Sequence, residues 1–284
     1  MISLGKLPPR HTPSKVIQVD FRQPRTKPKG KLSLEALDGV RITRPQDIRP
    51  AAETLRDLAA EKGFRVACAH DITDKRTPID ANGKILAREV FQWDEGSEVW
   101  WRNPRIALSS PITMACRFES EPFWVNAQGF NTHTPNPYLD GIDLADFEAR
   151  SLTSAALVIP VHLAFGQIGV VCLTPEDQSR TDLSGVFGAH GDMFAIFARL
   201  FVSTYVKTMA SVRALPADAL LSKREVECLS WAALGKTDCE IGLIISRSRA
   251  TVRFHIQNAS LKLNAVNRCQ TLFKAAQLGY ITLL

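Results

Sequence analysis

The sequence predicts an α+β domain followed by a small all-α domain, and three observations carry that reading. A middle segment orders its elements as helix, strand, helices, a two-strand hairpin and a long helix, without the strand–helix alternation of a parallel sheet. After residue 221, four short helices follow in close succession, each opened by a polar residue of capping type. Charge is also unevenly placed: the net +6 of the 284 residues divides into +7 for residues 1–31, −5 for 32–217 and +4 for 218–284. Basic ends around an acidic body suit a chain whose ends meet a polyanion, although a solvated tail produces the same balance.

Residues 1–31 place Pro8, Pro9, Pro13, Pro24 and Pro28 among eight Lys/Arg with no sustained period. This segment is expected to be a disordered basic arm, either adding non-specific phosphate affinity or serving as an inert extension. The opening MISLGKLPPRHTPSK has no apolar stretch of signal-peptide type. No uninterrupted apolar run approaches the roughly 18 to 20 residues of a membrane helix. A cytoplasmic protein without membrane contact is therefore expected. The six cysteines are scattered without a CxxC pair, so reduced, buried thiols and no metal site are expected.

The middle domain is read over residues 40–205. After Pro50, the residues Ala51, Leu55, Leu58 and Ala59 make one apolar helical stripe, and Gly63 sits where a left-handed cap would end it. Residues 64–72 form a short apolar run of strand type. Residues 155–162 and 168–173 read as two strands joined by a turn containing Phe165-Gly166, and 184–206 as a long helix rich in Phe, Leu and Ala. The pattern breaks around Leu215-Pro216-Ala217-Asp218, so 206–217 is read as a linker and 218–284 as the second domain.

Within that second domain, Ser222 with Glu225 and Thr237 with Glu240 are two capping boxes. The first opens a helix that turns Val226, Leu229 and Ala233 inward and ends at Gly235. The second opens a helix over 238–245. Ser248 and Thr251 flank the start of a third, in which Val252, Ile256, Ala259 and Leu263 take one stripe, and Asn267 caps a fourth running towards Gly279. With the stripe of the third helix buried, Arg249, Arg253, Phe254 and Gln257 must face outward. Arg pairs with guanine and Gln with adenine in the major groove. Arg247, Arg249 and Thr251, near the helix start, are better placed for phosphates. A solvated basic face is the bland alternative for any one of them. The length and turns of the unit favour a helix-turn-helix.

The stretch from Leu221 to Leu272, with Glu225, Leu229, Trp231, Gly235, Lys236-Thr237, Glu240-Ile241, Ser248, Thr251-Val252, His255, Asn258, Lys262-Leu263 and Asn267-Arg268 at ungapped spacing, resembles the C-terminal domain of LuxR-type regulators. The resemblance implies a recognition helix over 249–263 with Arg253, Phe254 and Gln257 facing bases, and a fourth helix that forms a dimer contact. His255 is read as a packed residue rather than a metal or catalytic one. Two departures stand out: Gly242 occupies a position usually held by Ala, at an expected cost of about 1 kcal/mol of helix stability, and Arg247 replaces an apolar residue in the turn.

Ahead of it, Ser110-Pro111, Glu121-Pro122-Phe123, Ile159-Pro160-Val161 and Gly166 resemble the acyl-homoserine-lactone-binding domain of quorum-sensing regulators. The resemblance implies an α/β/α sandwich, an antiparallel sheet with helices on both faces and a ligand pocket between. The family's pocket residues are largely replaced: Ser110 stands for an Asp, Trp101 for a Tyr, Ser97 and Val125 for Trp residues (with Trp124 beside the latter) and Ala156 for a Gly. Loss of the charged acceptor at Ser110, worth roughly 1.5 to 3 kcal/mol, argues against an ordinary acyl-homoserine lactone. Trp93, Trp100, Trp101 and Trp124 line an apolar pocket for another small molecule or are plain core aromatics.

These readings make the chain a DNA-binding transcriptional regulator. It is expected to be a homodimer on a two-fold double-stranded DNA operator, with RNA polymerase as a partner if it activates. It is expected to use no cofactor and to answer either to a small apolar signal in the middle domain or to a protein partner. An enzyme with a DNA-binding tail is the remaining alternative. No Ser/His/Asp order, phosphate loop or paired-carboxylate arrangement supports it.

Overall fold

A computed structural model describes residues 33–74, 76–93, 109–209 and 220–282. The basic arm 1–31, Ser97, Trp100, Trp101 and most of the expected linker, 210–217, lie outside the described residues.

Helix α1 (Ile48–Ala60) begins before Pro50 rather than after it. The Asp47 carboxylate accepts the amides of Thr43 and Arg44 and the Thr43 hydroxyl, which ties the chain into a 3-10 turn leading straight into the helix. Pro50 then lies in the first turn, where its missing amide has no intrahelical acceptor to lose. Ala51, Leu55, Leu58 and Ala59 are all buried, and Gly63 takes the left-handed conformation after the helix.

Strand β1 (Phe64–Ala69) joins a five-stranded sheet with β2 (Phe123–Asn126), β3 (Gly129–Thr132), β4 (Ala155–His162) and β5 (Ile168–Pro175). Every pairing is antiparallel, in the order β1-β5-β4-β2-β3. The β4–β5 hairpin turns through Phe165 and Gly166, both at positive φ. Pro160 lies past the last β2 partner of β4, Val158, in a stretch paired only with β5, the kind of position where a missing amide is tolerated.

Side-chain alternation divides the sheet between two cores. Phe64, Val66, Trp124, Leu157, Ile159, Val171 and Leu173 pack with α1 and with α4 (Ser184–Met209). Phe123, Val125, Ala156, Val158, Val170 and Cys172 pack on the opposite face with Ile112 and Ala115 of α2 (Pro111–Ala115) and Phe147 of α3 (Phe147–Ser151). The result is an α/β/α sandwich. Cys68, Cys116 and Cys172 are buried free thiols, and burial raises the thiol pKa of each well above the ordinary cysteine range.

Helix α4 continues through Met209, past residue 206 where a linker was expected. Tyr205 is still buried there, and its hydroxyl accepts the Ile79 amide, so packing carries the helix onward. By length and composition α4 is apolar enough to cross a membrane. Its Phe187, Phe194, Phe197 and Phe201 are instead buried against the sheet. Gly169 on β5 permits the close fit, since a Cβ there would lie 2.5 Å from Val202 Cγ1.

The C-terminal region is all helical: α5 (Lys223–Ala233), α6 (Asp238–Ile244), α7 (Arg249–Lys262) and α8 (Arg268–Gln277). They share a core of Cys228, Leu229, Ile241, Val252, Ile256, Ala259, Leu263 and Ala275.

Candidate nucleic-acid interface

Four hydrogen-bonded caps set where the helices of this unit begin, the last of them at Asn267, whose Oδ1 accepts the Gln270 amide at 2.8 Å. Ser222 Oγ accepts the Glu225 amide while the Glu225 carboxylate accepts the Ser222 amide at 2.7 Å. Thr237 and Glu240 repeat the arrangement at the head of α6. Ser248 Oγ accepts the Thr251 amide at 3.1 Å and starts α7.

With α7 oriented by its buried stripe, the groove-facing candidates fall on one surface. Arg249, Arg253 and Gln257 lie four residues apart and are exposed, as is Phe254 beside them. Arg247 is exposed in the preceding turn. Thr251 differs: it is half-buried, and its hydroxyl is 2.8 Å from Ser248 Oγ, inside the cap. His255 is half-buried, with its ring edge-on to Phe254. A cleft of about 620 Å³ opens beside this surface, lined in part by Lys236, Thr237, Arg249 and Arg268.

Two features behind the surface had no sequence signal beyond charge. Glu225 is 3% exposed, and both its carboxylate oxygens accept from Lys262 Nζ, at 2.9 and 2.8 Å, across 37 residues of sequence. Burial alone would raise its pKa, but the Lys262 ammonium and the Ser222 amide outweigh it and hold the carboxyl below its ordinary value. Arg268 donates to the Asp238 carboxylate and to the Lys236 carbonyl, pinning α8 to the head of α6.

Gly242 has a packing role that stands beside its expected cost in helix propensity. Its position packs against the α6–α7 turn so closely that a Cβ would lie 2.6 Å from the Arg247 carbonyl oxygen. The Gly242 carbonyl in turn accepts the Arg247 amide at 2.8 Å, and Ser246 adopts φ +54° between them. Glycine is what lets this turn approach the helix.

Among the described residues, the expected ligand-pocket positions do not come together as one lining. Ser110, Val125 and Ala156 share the α2 side of the sheet, whereas Trp124 points into the α4 side. Trp93 packs with that same core, donating its indole N–H to the Val66 carbonyl at 2.6 Å beneath the Arg65 guanidinium. Trp124 is therefore a core aromatic of the opposite face, because successive residues of a strand point to opposite sides, and the half-buried Trp93 packs against that same core. Ser110 is fully buried, and its hydroxyl has no partner among the described residues.

Residues 219–275 match the family model of the bacterial regulatory proteins, luxR family. The capped helices and exposed recognition surface thus belong to a helix-turn-helix DNA-binding domain. That domain is of the LuxR type, and the chain is homologous to LuxR-type transcriptional regulators. It is 35% identical over 131 residues to the transcriptional activator protein VanR of Vibrio anguillarum, covering 45% of this chain and 52% of VanR. It is 34% identical over 122 residues to LuxR of Aliivibrio fischeri, covering 43% and 48%. The quorum sensing-dependent regulator VjbR of Brucella abortus is 52% identical over 63 residues, covering 22% and 24%. The chain thus spans about half the length, or less, of the curated relatives it matches. Among solved structures, SdiA of Escherichia coli aligns over 88% of this chain and 96% of its own, at 18% identity and a TM-score of 0.47.

Two outcomes test the geometry. Gly242→Ala should destabilise the C-terminal helices by about 1 to 3 kcal/mol, despite alanine's better helix propensity; a gain in amide hydrogen-exchange protection across α6 and α7 would contradict the close approach. The Glu225 carboxyl, with its folded pKa held down, contributes stability that is complete above its unfolded value of roughly 4.3 and fades as pH falls through the folded value. Lys262→Met should therefore cost on the order of 2 kcal/mol at neutral pH. Urea unfolding should show that deficit shrinking between pH 7 and pH 3.5, and a deficit constant with pH would refute the ion pair's role.

Proposed function

We propose that this protein is a sequence-specific, DNA-binding transcriptional regulator acting in the cytoplasm. The observation that carries the reading is the exposed α7 surface of Arg249, Arg253, Phe254 and Gln257 on a helix-turn-helix domain of LuxR type. In the bound state Arg253 and Gln257 hydrogen-bond base edges, Phe254 packs on the groove floor, and Arg247, Arg249 and Thr251 at the Ser248-capped helix start meet phosphates. Helix α8, which exposes Phe273, supplies the surface through which two copies pair. Half-sites then lie about one helical turn apart on a two-fold operator. When the protein activates, RNA polymerase is its further partner.

Selection of duplexes from a random library with the full chain identifies the operator. Arg253→Ala should lose about 1 to 3 kcal/mol on that operator and relax preference at one position. Arg249→Ala should weaken binding to operator and random DNA alike and lower the salt slope by about one. Equal losses on both DNAs for Arg253→Ala would remove it from base reading.

The middle domain is read as the sensor. The buried Ser110 hydroxyl, which has no partner among the described residues and opens α2 on the side of Val125 and Ala156, favours a small apolar molecule bearing one hydrogen-bonding group. Occupancy stabilises the folded state and so raises the midpoint of thermal unfolding. A panel of acyl-homoserine lactones and fatty-acyl alcohols should give a shift of several degrees with at least one neutral acyl compound, and Ser110→Ala should reduce it. No shift across the panel would leave a regulator that works without a small molecule.

A further inference from the structure

Asp238 is the first residue of α6, next to the Thr237 cap, and its side chain is only 16% exposed. One carboxylate oxygen accepts from Arg268, itself fastened to the Lys236 carbonyl at 2.9 Å. The other lies 3.8 Å from Nε of Arg253, whose side chain is 58% exposed. One acid thus stands between an anchored guanidinium and a free one, and the free one is on the recognition surface.

We propose that Asp238 is a positioning residue for Arg253, holding its guanidinium in the pose that reads a base pair; this rests on the DNA-reading role of α7 given above. A guanidinium approached at Nε keeps its terminal Nη edge, the edge with two parallel N–H groups, for the paired acceptors O6 and N7 of guanine. An arginine free in solvent samples many rotamers and must be ordered when it binds. Here a half-buried, already anchored carboxylate does part of that ordering beforehand, which is how supporting contacts sharpen a recognition group. The same carboxylate is a negative charge close to a polyanion, so it opposes non-specific binding. Asp238 therefore raises discrimination while lowering general affinity, and those two effects are separable because a merely structural residue would move both in one direction.

The test uses the full chain with Asp238→Asn, Arg253→Ala and the double variant, each checked by circular dichroism and thermal unfolding. Asp238→Ser, which keeps a polar atom towards Arg268, serves if the asparagine variant fails to fold. Affinities are measured on the selected operator, on operators altered at the position Arg253→Ala relaxes, and on random duplex. Asp238→Asn should cut discrimination at that one position three- to tenfold while binding random duplex as well as, or up to threefold better than, the unaltered chain. In the Arg253→Ala background the substitution should leave discrimination unchanged. Unaltered discrimination in Asp238→Asn, or an equal loss with and without Arg253, would overturn the proposal while leaving DNA reading by α7 intact. Failure of the unaltered chain to prefer any duplex would overturn the DNA-reading role and this assignment with it.

Discussion

The placement of the exposed face of α7 depends on one buried carboxylate. Glu225 caps the start of α5 through the Ser222 amide and reaches across to Lys262, the last residue of α7. A charge buried to this degree is costly unless its lone pairs are satisfied, and here backbone amide and ammonium satisfy them together. Helix α7 is thereby fixed at its far end while Ser248 fixes its start. The apolar stripe between these points, Val252, Ile256 and Ala259, sets rotation about the helix axis. Position, length and rotation of the basic face all follow from contacts on the opposite side.

The sheet of the middle domain works under a different constraint. Its central strands are buried on both faces, so each successive residue belongs to a different core. Small residues are placed where elements must approach, as at Gly169 beneath α4. The α4 face carries most of the buried aromatics, whereas the α2 face carries Phe123 and Phe147 among smaller side chains, and the Ser110 hydroxyl at the start of α2 has no partner among the described residues.

Much of this was legible in the sequence, for physical reasons. The caps at Ser222, Thr237, Ser248 and Asn267 are local, encoded within four residues, and the structure forms each one. The β4–β5 hairpin was visible through its length and turn. Strands β2 and β3 were not, because β2 is buried at all four residues and so shows no alternation, and β3 is half-buried throughout. The separation of Trp124 from Val125 was hidden as well, since side-chain direction depends on a strand assignment that periodicity did not supply. Ion pairs such as Glu225–Lys262 and Asp238–Arg268 join residues 37 and 30 positions apart, and no sequence spacing announces them.

The fit at Gly242 limits what can replace it. The α6–α7 turn lies against a bare Cα, so a methyl group added there collides with a backbone carbonyl rather than with a pliable side chain. Accommodating it requires the turn, with Ser246 and Arg247, to move first. The tolerance of this corner is therefore split between backbone and side chain. The exposed Arg247 side chain is free to vary, while the path of the chain that carries it is not.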